Sequence, residues 1–140
     1  MADLTIQINE KITLNNIDRG TLTTQTITGI NYVDNRNLNL PSGSVTTIFS
    51  LSDVNGAGTF ITSSFQYARL TNKSTTIPVK LIISSSTEAA SYLISTGSSY
   101  IISTSKTTGS LTSLVFNDIV SIKAQPSGSN AEIEYFVATK

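Results

Sequence analysis

The first ten residues alternate between apolar and polar: Leu4, Ile6 and Ile8 point to one side, and Asp3, Thr5, Gln7 and Asn9 to the other. A two-residue period of this kind predicts a half-buried strand. Ile12 and Leu14 restart the pattern before Asn15-Asn16-Ile17-Asp18-Arg19-Gly20, which predicts a reversal because Asn, Asp and Gly take positive φ at low cost. A second strand then leaves through residues 21–28. Further strands are predicted at 30–33, 45–51, 65–71, 77–83, 92–95, 100–103, 119–124 and 132–137, with 38–40 a weaker candidate.

Turn chemistry separates most of these runs, most plainly at Asp53-Val54-Asn55-Gly56-Ala57-Gly58 and Gln125-Pro126-Ser127-Gly128-Ser129-Asn130. About ten short strands at turn spacings of about a dozen residues predict an all-β fold, an antiparallel β-sandwich of jelly-roll or immunoglobulin-like type with little or no helix. Residues 86–93, with the only Ala pair, offer the one helix candidate, a short one. The alternation of Ile77, Val79, Leu81 and Ile83 is the strongest core strand. Pro78 within it lacks an amide donor, which places it on a sheet edge or among the strand's first residues. No internal repeat is visible.

Composition agrees with the strand reading. Ser and Thr supply about 30% of the 140 residues, and charged residues only 13%, against about 25% in typical globular chains. Thr packs on a pleated face and Ser favours turns, so this composition suits strands better than helices. At 140 residues a single β-sandwich domain over 1–140 is expected.

Nine acids balance nine bases, leaving no basic excess to recruit nucleic acid or an anionic membrane; neither is an expected partner. No apolar run approaches the roughly 20 residues of a membrane span, and the opening MADLTIQINE has acids where a signal peptide carries bases. Synthesis in a cytoplasm without a signal peptide is expected. Cys and His are both absent, which removes disulfides, thiolate nucleophiles, imidazole bases and the usual zinc sites. An enzyme built on this chain would have to run on carboxylates, Lys or Tyr.

Four motifs invite a chemical reading. Ser103-Thr104-Ser105-Lys106 matches the Ser-x-x-Lys of penicillin-binding enzymes, but chance alone yields about one such match, and Lys106-Thr107-Thr108-Gly109 interrupts the companion Lys-Thr-Gly. Asp53-Val54-Asn55-Gly56 superficially matches a calcium loop, yet the next acid is Glu88, and no helix or Lys follows to make Gly56 and Gly58 a phosphate cradle. Glu132 and Glu134 share a strand face as a glycosidase pair would, or as a solvated stripe opposite Ile133, Tyr135 and Val137 does. Asn72-Lys73-Ser74 spells a glycosylation sequon. None amounts to a catalytic, cofactor or metal site. Candidate interface residues are Arg19, Arg36 and Arg69, whose forks suit interface ion pairs, with exposed solvated arginines as the alternative, together with the Asp53, Asn55, Gly56 and Gly58 loop.

Three stretches in combination resemble small virion structural proteins of tailed phages of marine bacteria, especially cyanophages. They are Ile12-Thr13-Leu14-Asn15-Asn16-Ile17-Asp18-Arg19-Gly20 leading to Gly29-Ile30-Asn31-Tyr32-Val33-Asp34-Asn35-Arg36; Gly56-Ala57-Gly58-Thr59-Phe60 leading to Tyr67-Ala68-Arg69-Leu70-Thr71-Asn72; and Asp118-Ile119-Val120-Ser121-Ile122-Lys123-Ala124 leading to Glu132-Ile133-Glu134-Tyr135-Phe136-Val137-Ala138. The resemblance implies a virion protein without catalytic residues or cofactor. A capsid decoration or cement protein is expected, forming a dimer or trimer on the major capsid protein or other virion proteins, with loops 53–58 and 125–130 available for contact. A tail or head-to-tail component, or a glycan-binding adhesive module, are the alternatives.

Overall fold

The computed structural model describes residues 1–108 and 115–140. It is all-β, 66% strand, with a single 3-10 turn at Thr62–Ser64 as its only helical element among the described residues. Two compact units divide the chain, Met1–Asn31 and Tyr32–Lys140.

The first unit is a β-ribbon of four strands: β1 (Ala2–Glu10), the short β2 (Thr13–Leu14) and β3 (Ile17–Asp18), and β4 (Thr21–Ile30). β1 pairs antiparallel with β4, Leu4 lying opposite Ile27 and Glu10 opposite Thr21, and β2 pairs with β3 at the tip. The predicted turn is built as its residues suggest. Asn15 and Asn16 take φ of 52° and 62°, the left-handed pair that a two-residue hairpin turn needs to match strand twist. Gly20 then passes so close to β1 that a Cβ there would lie 2.3 Å from the Glu10 carbonyl oxygen.

The second unit carries β5 (Tyr32–Leu40), β6 (Thr46–Ser52), β7 (Thr59–Ile61), β8 (Phe65–Asn72), β9 (Val79–Ser85), β10 (Ala89–Ile94), β11 (Ser99–Ile102), β12 (Lys106–Thr107), β13 (Asn117–Pro126) and β14 (Ala131–Thr139). One sheet runs β10-β9-β13-β6-β7, with β12 also on β13; the other runs β11-β8-β14-β5. All of these pairs are antiparallel except β6 with β7. Both sheets send alternate side chains into one core, where the Phe49 ring of β6 meets Phe60, Phe65 and Tyr135 at centroid distances of 5.7, 6.2 and 6.0 Å. The unit is therefore a sandwich of two facing sheets. β13 breaks strict alternation, burying Ser121 and Ile122 in succession, and register shifts flank this pair, between Ile119 and Ser121 against β9 and between Ile122 and Lys123 against β6.

Several sequence expectations change. Among the described residues fourteen strands replace the expected ten or so, the extras being short pairings at β2, β3, β7 and β12. Residues 30–33 are the junction of β4 and β5, not a strand of their own, and the weak candidate at 38–40 is the end of the nine-residue β5. The helix candidate at 86–93 is a bend followed by β10; pairing with β9 outweighs the helix propensity of Ala89 and Ala90. Pro78 stands immediately ahead of β9, where no ladder donor is required, while Val79, Leu81 and Ile83 are buried as predicted. No helix among the described residues is long and apolar enough to cross a membrane.

Candidate functional site

β5 is the end strand of its sheet, and its inward face changes character along its length. Arg36 lies opposite Tyr135 and Asp34 opposite Val137, so Tyr32, Asp34 and Arg36 share the side on which Leu38 and Leu40 pack into the core. At this end the polar residues open a cleft of about 450 Å³ instead of filling a core. The β6–β7 loop, with Asn55, Gly56 and Gly58, forms the facing wall together with Phe60. That loop is held tightly: Thr59 N donates to Gly56 O at 3.0 Å and Ser50 N to Gly58 O at 2.9 Å. Gly58, at φ +68°, occupies the left-handed region that glycine enters without strain.

The cleft has a defined polar centre. Asp34, almost buried, accepts from the Tyr135 hydroxyl at 2.8 Å and from Arg36 Nε at 2.9 Å. Burial first, and the bond to Asp34 second, push the Tyr135 phenol up to about 12, so it remains a donor at physiological pH. The same carboxylate raises the Arg36 pKa, chiefly through the side-chain hydrogen bond. Arg36 has its side chain 60% exposed, and among the described residues its bond within the protein is made through Nε. Tyr32, 52% exposed, leans on Phe60 with ring centroids 6.2 Å apart. A neutral acid–base pair beside an exposed aromatic ring can exchange hydrogen bonds with hydroxyls and stack on an apolar face.

Arg36, Asn55, Gly56 and Gly58 are thus brought together, and three other sequence candidates are not. Asp53 lies in the same loop but outside the cleft lining. Arg69 lies on β8 outside the cleft, where its Nη2 donates to Glu134 Oε1 at 2.6 Å and its buried Nε has no partner among the described residues. Arg19 belongs to the ribbon, its backbone N–H donating to Ile12 O at 2.9 Å. Sequence reasoning missed Asp34, Tyr32 and Tyr135. An acid two residues before an arginine on one strand was an available signal for the first; the pairing of β5 with β14 was not.

The tempting motifs take structural roles. Glu134 pairs with Arg69 and lies 3.9 Å from Lys73 Nζ, so it is an ion-pair acceptor. Lys106 Nζ reaches Asp118 at 2.9 Å from a strand, not a helix, and Gly109 of the interrupted Lys-Thr-Gly lies outside the described residues. Asn72 of the sequon is fully buried. Its amide donates to Ile77 O at 2.8 Å and Ile94 O at 3.2 Å, while its Oδ1 accepts from Ser74 N at 3.0 Å. The 125–130 turn is fastened too, with Ser127 N donating to Pro78 O, Asn130 Oδ1 accepting from Ser42 N, and Gly128 O from the Ser42 hydroxyl. Among the described residues no group of acids forms a metal cluster.

The ribbon is a second surface. Ile8, Ile12, Leu14, Ile17 and Leu22 each stand 46–59% exposed along it. Comparison with protein-family models, curated proteins and solved structures gives no match.

Proposed function

We propose that the protein is a non-enzymatic virion structural protein of a tailed phage, a capsid decoration or cement protein seated on the major capsid protein or its neighbours. The observation that carries this reading is the ribbon Met1–Asn31, which holds five large aliphatic side chains in solvent on an element too thin to bury them. A two-stranded hairpin alone is marginal in water, so a ribbon of this kind gains its stability from what it docks against. Weak single contacts repeated over a lattice add through avidity.

Quantitative mass spectrometry of purified particles tests the assignment. A decoration protein is present at hundreds of copies; a dozen or fewer moves the protein to the tail or the head-to-tail connection, and absence from particles overturns the virion role.

The cleft at Tyr32, Asp34 and Arg36 favours a second reading, a module that binds a host-surface glycan. On that reading, binding on a glycan array is lost in Tyr32→Ala and retained in Tyr92→Ala, since Tyr92 is also exposed but lies outside the cleft.

A further inference from the structure

β4 is the longest strand of the molecule without a charge. Its sequence, Thr21-Leu22-Thr23-Thr24-Gln25-Thr26-Ile27-Thr28-Gly29-Ile30, also has no proline, and among the described residues it pairs only with β1. Its outer edge therefore offers a row of backbone donors and acceptors with none of the devices, Lys, Pro or inward charge, by which proteins close an edge. The other edges differ. β5, the long end strand of the sandwich, carries Asp34 and Arg36, whereas β7 and β11 are only three and four residues long and β10 six.

We infer that the β4 edge pairs antiparallel with β4 of a second copy of this chain, joining two ribbons into one four-stranded sheet β1-β4-β4-β1. Symmetry restricts the register. A two-fold axis normal to a sheet preserves its faces, so a residue can lie opposite only one of its own parity. The regular ladder of β4 against β1 spans Thr21 to Ile27 before the register shifts, and its centre is Thr24. Pairing about that centre sets Thr24 opposite Thr24, Thr23 opposite Gln25, Leu22 opposite Thr26 and Thr21 opposite Ile27. Every pair is uncharged, and β-branched threonines face one another at the axis.

The β1 edge does not offer this. β1 carries Asp3 and Glu10, charges that discourage edge-to-edge pairing and that β4 lacks. Pairing through β4 also places Leu4, Ile6, Ile8 and Ile27 of both copies on one face of the joined sheet. That converts two marginal hairpins into a four-stranded layer with an apolar side. The inference rests on the ribbon and not on the virion assignment, so particle copy number and solution mass can fail independently.

Light scattering on the purified full chain tests it. The expected mass is twice the 14.9 kDa of one chain. Thr24→Lys, which sets two ammonium groups face to face at the axis, returns the single-chain mass. Gln7→Lys leaves the dimer intact, although Gln7 is the cross-strand partner of Thr24 on the same face of the ribbon. Mixing Thr24→Lys with Thr24→Glu restores the dimer, which also shows that both variants fold. A wild-type chain of single or triple mass, or dissociation by Gln7→Lys as complete as by Thr24→Lys, overturns the pairing.

Discussion

Leu4-Ile6-Ile8 in β1 and Val79-Leu81-Ile83 in β9 are the same pattern with opposite fates. Both set large apolar residues at every second position, although in β9 the apolar Ile82 stands between Leu81 and Ile83. In β9 the three side chains are buried, because β10 and β13 cover its two edges and the facing sheet covers its inner side. Among the described residues β1 has one neighbour, β4, and Ile8 stands in solvent. Period-two alternation thus identifies a strand and the side it would bury, while the number of neighbouring strands decides whether burial happens.

The comparison breaks most visibly if the sandwich is cut at its centre. Tyr135→Ala removes the largest fully buried side chain, a ring packed on Phe49 and bonded to Asp34, and is expected to cost about 3–5 kcal/mol in denaturant unfolding of the second unit. Asn72→Ala comes next, at about 2–3 kcal/mol. It strands the carbonyls of Ile77 and Ile94 and the N–H of Ser74, and calorimetry should record it as a lowered Tm.

Alkali sharpens the picture further. Tyr135 titrates at about 12 in the folded chain and near 10 when unfolded, so its contribution is complete below pH 10 and is lost as pH rises toward 12. The loss is on the order of 1–2 kcal/mol, followed by unfolding at stepped pH. Tyr100, also pushed up to about 12 by burial and by its bond to Tyr92, contributes in the same window, so Tyr135→Phe reduces the alkaline loss without abolishing it. The smallest effect belongs to the ribbon. Leu22→Ala, at a side chain 59% exposed, is expected to change the unfolding free energy of the chain by less than about 0.5 kcal/mol. A cost near that of Tyr135→Ala would erase the distinction between the two regions.

The cleft shows how far a chain can be read before it folds. Arg36, Asn55, Gly56 and Gly58 were visible as candidates by residue type and turn chemistry, and they do meet. Arg69 carried the same signal and instead closes an ion pair with Glu134, sixty-five positions along the chain, which no local pattern reveals. Tyr135 read as an ordinary core residue. Only its register opposite Arg36 brings its hydroxyl to Asp34.

By itself the sequence determined what is local: the all-β class, the Asn15-Asn16 reversal, and the absence of imidazole and thiol chemistry. These follow from the φ preferences and side-chain period of a few neighbouring residues. Tertiary structure decided which strands lie inside a sheet and which form its edges, and therefore that one alternating run became core while another became an uncharged open edge. Strand neighbours are chosen by pairing across tens of residues, and burial depends on those neighbours rather than on the strand's own pattern.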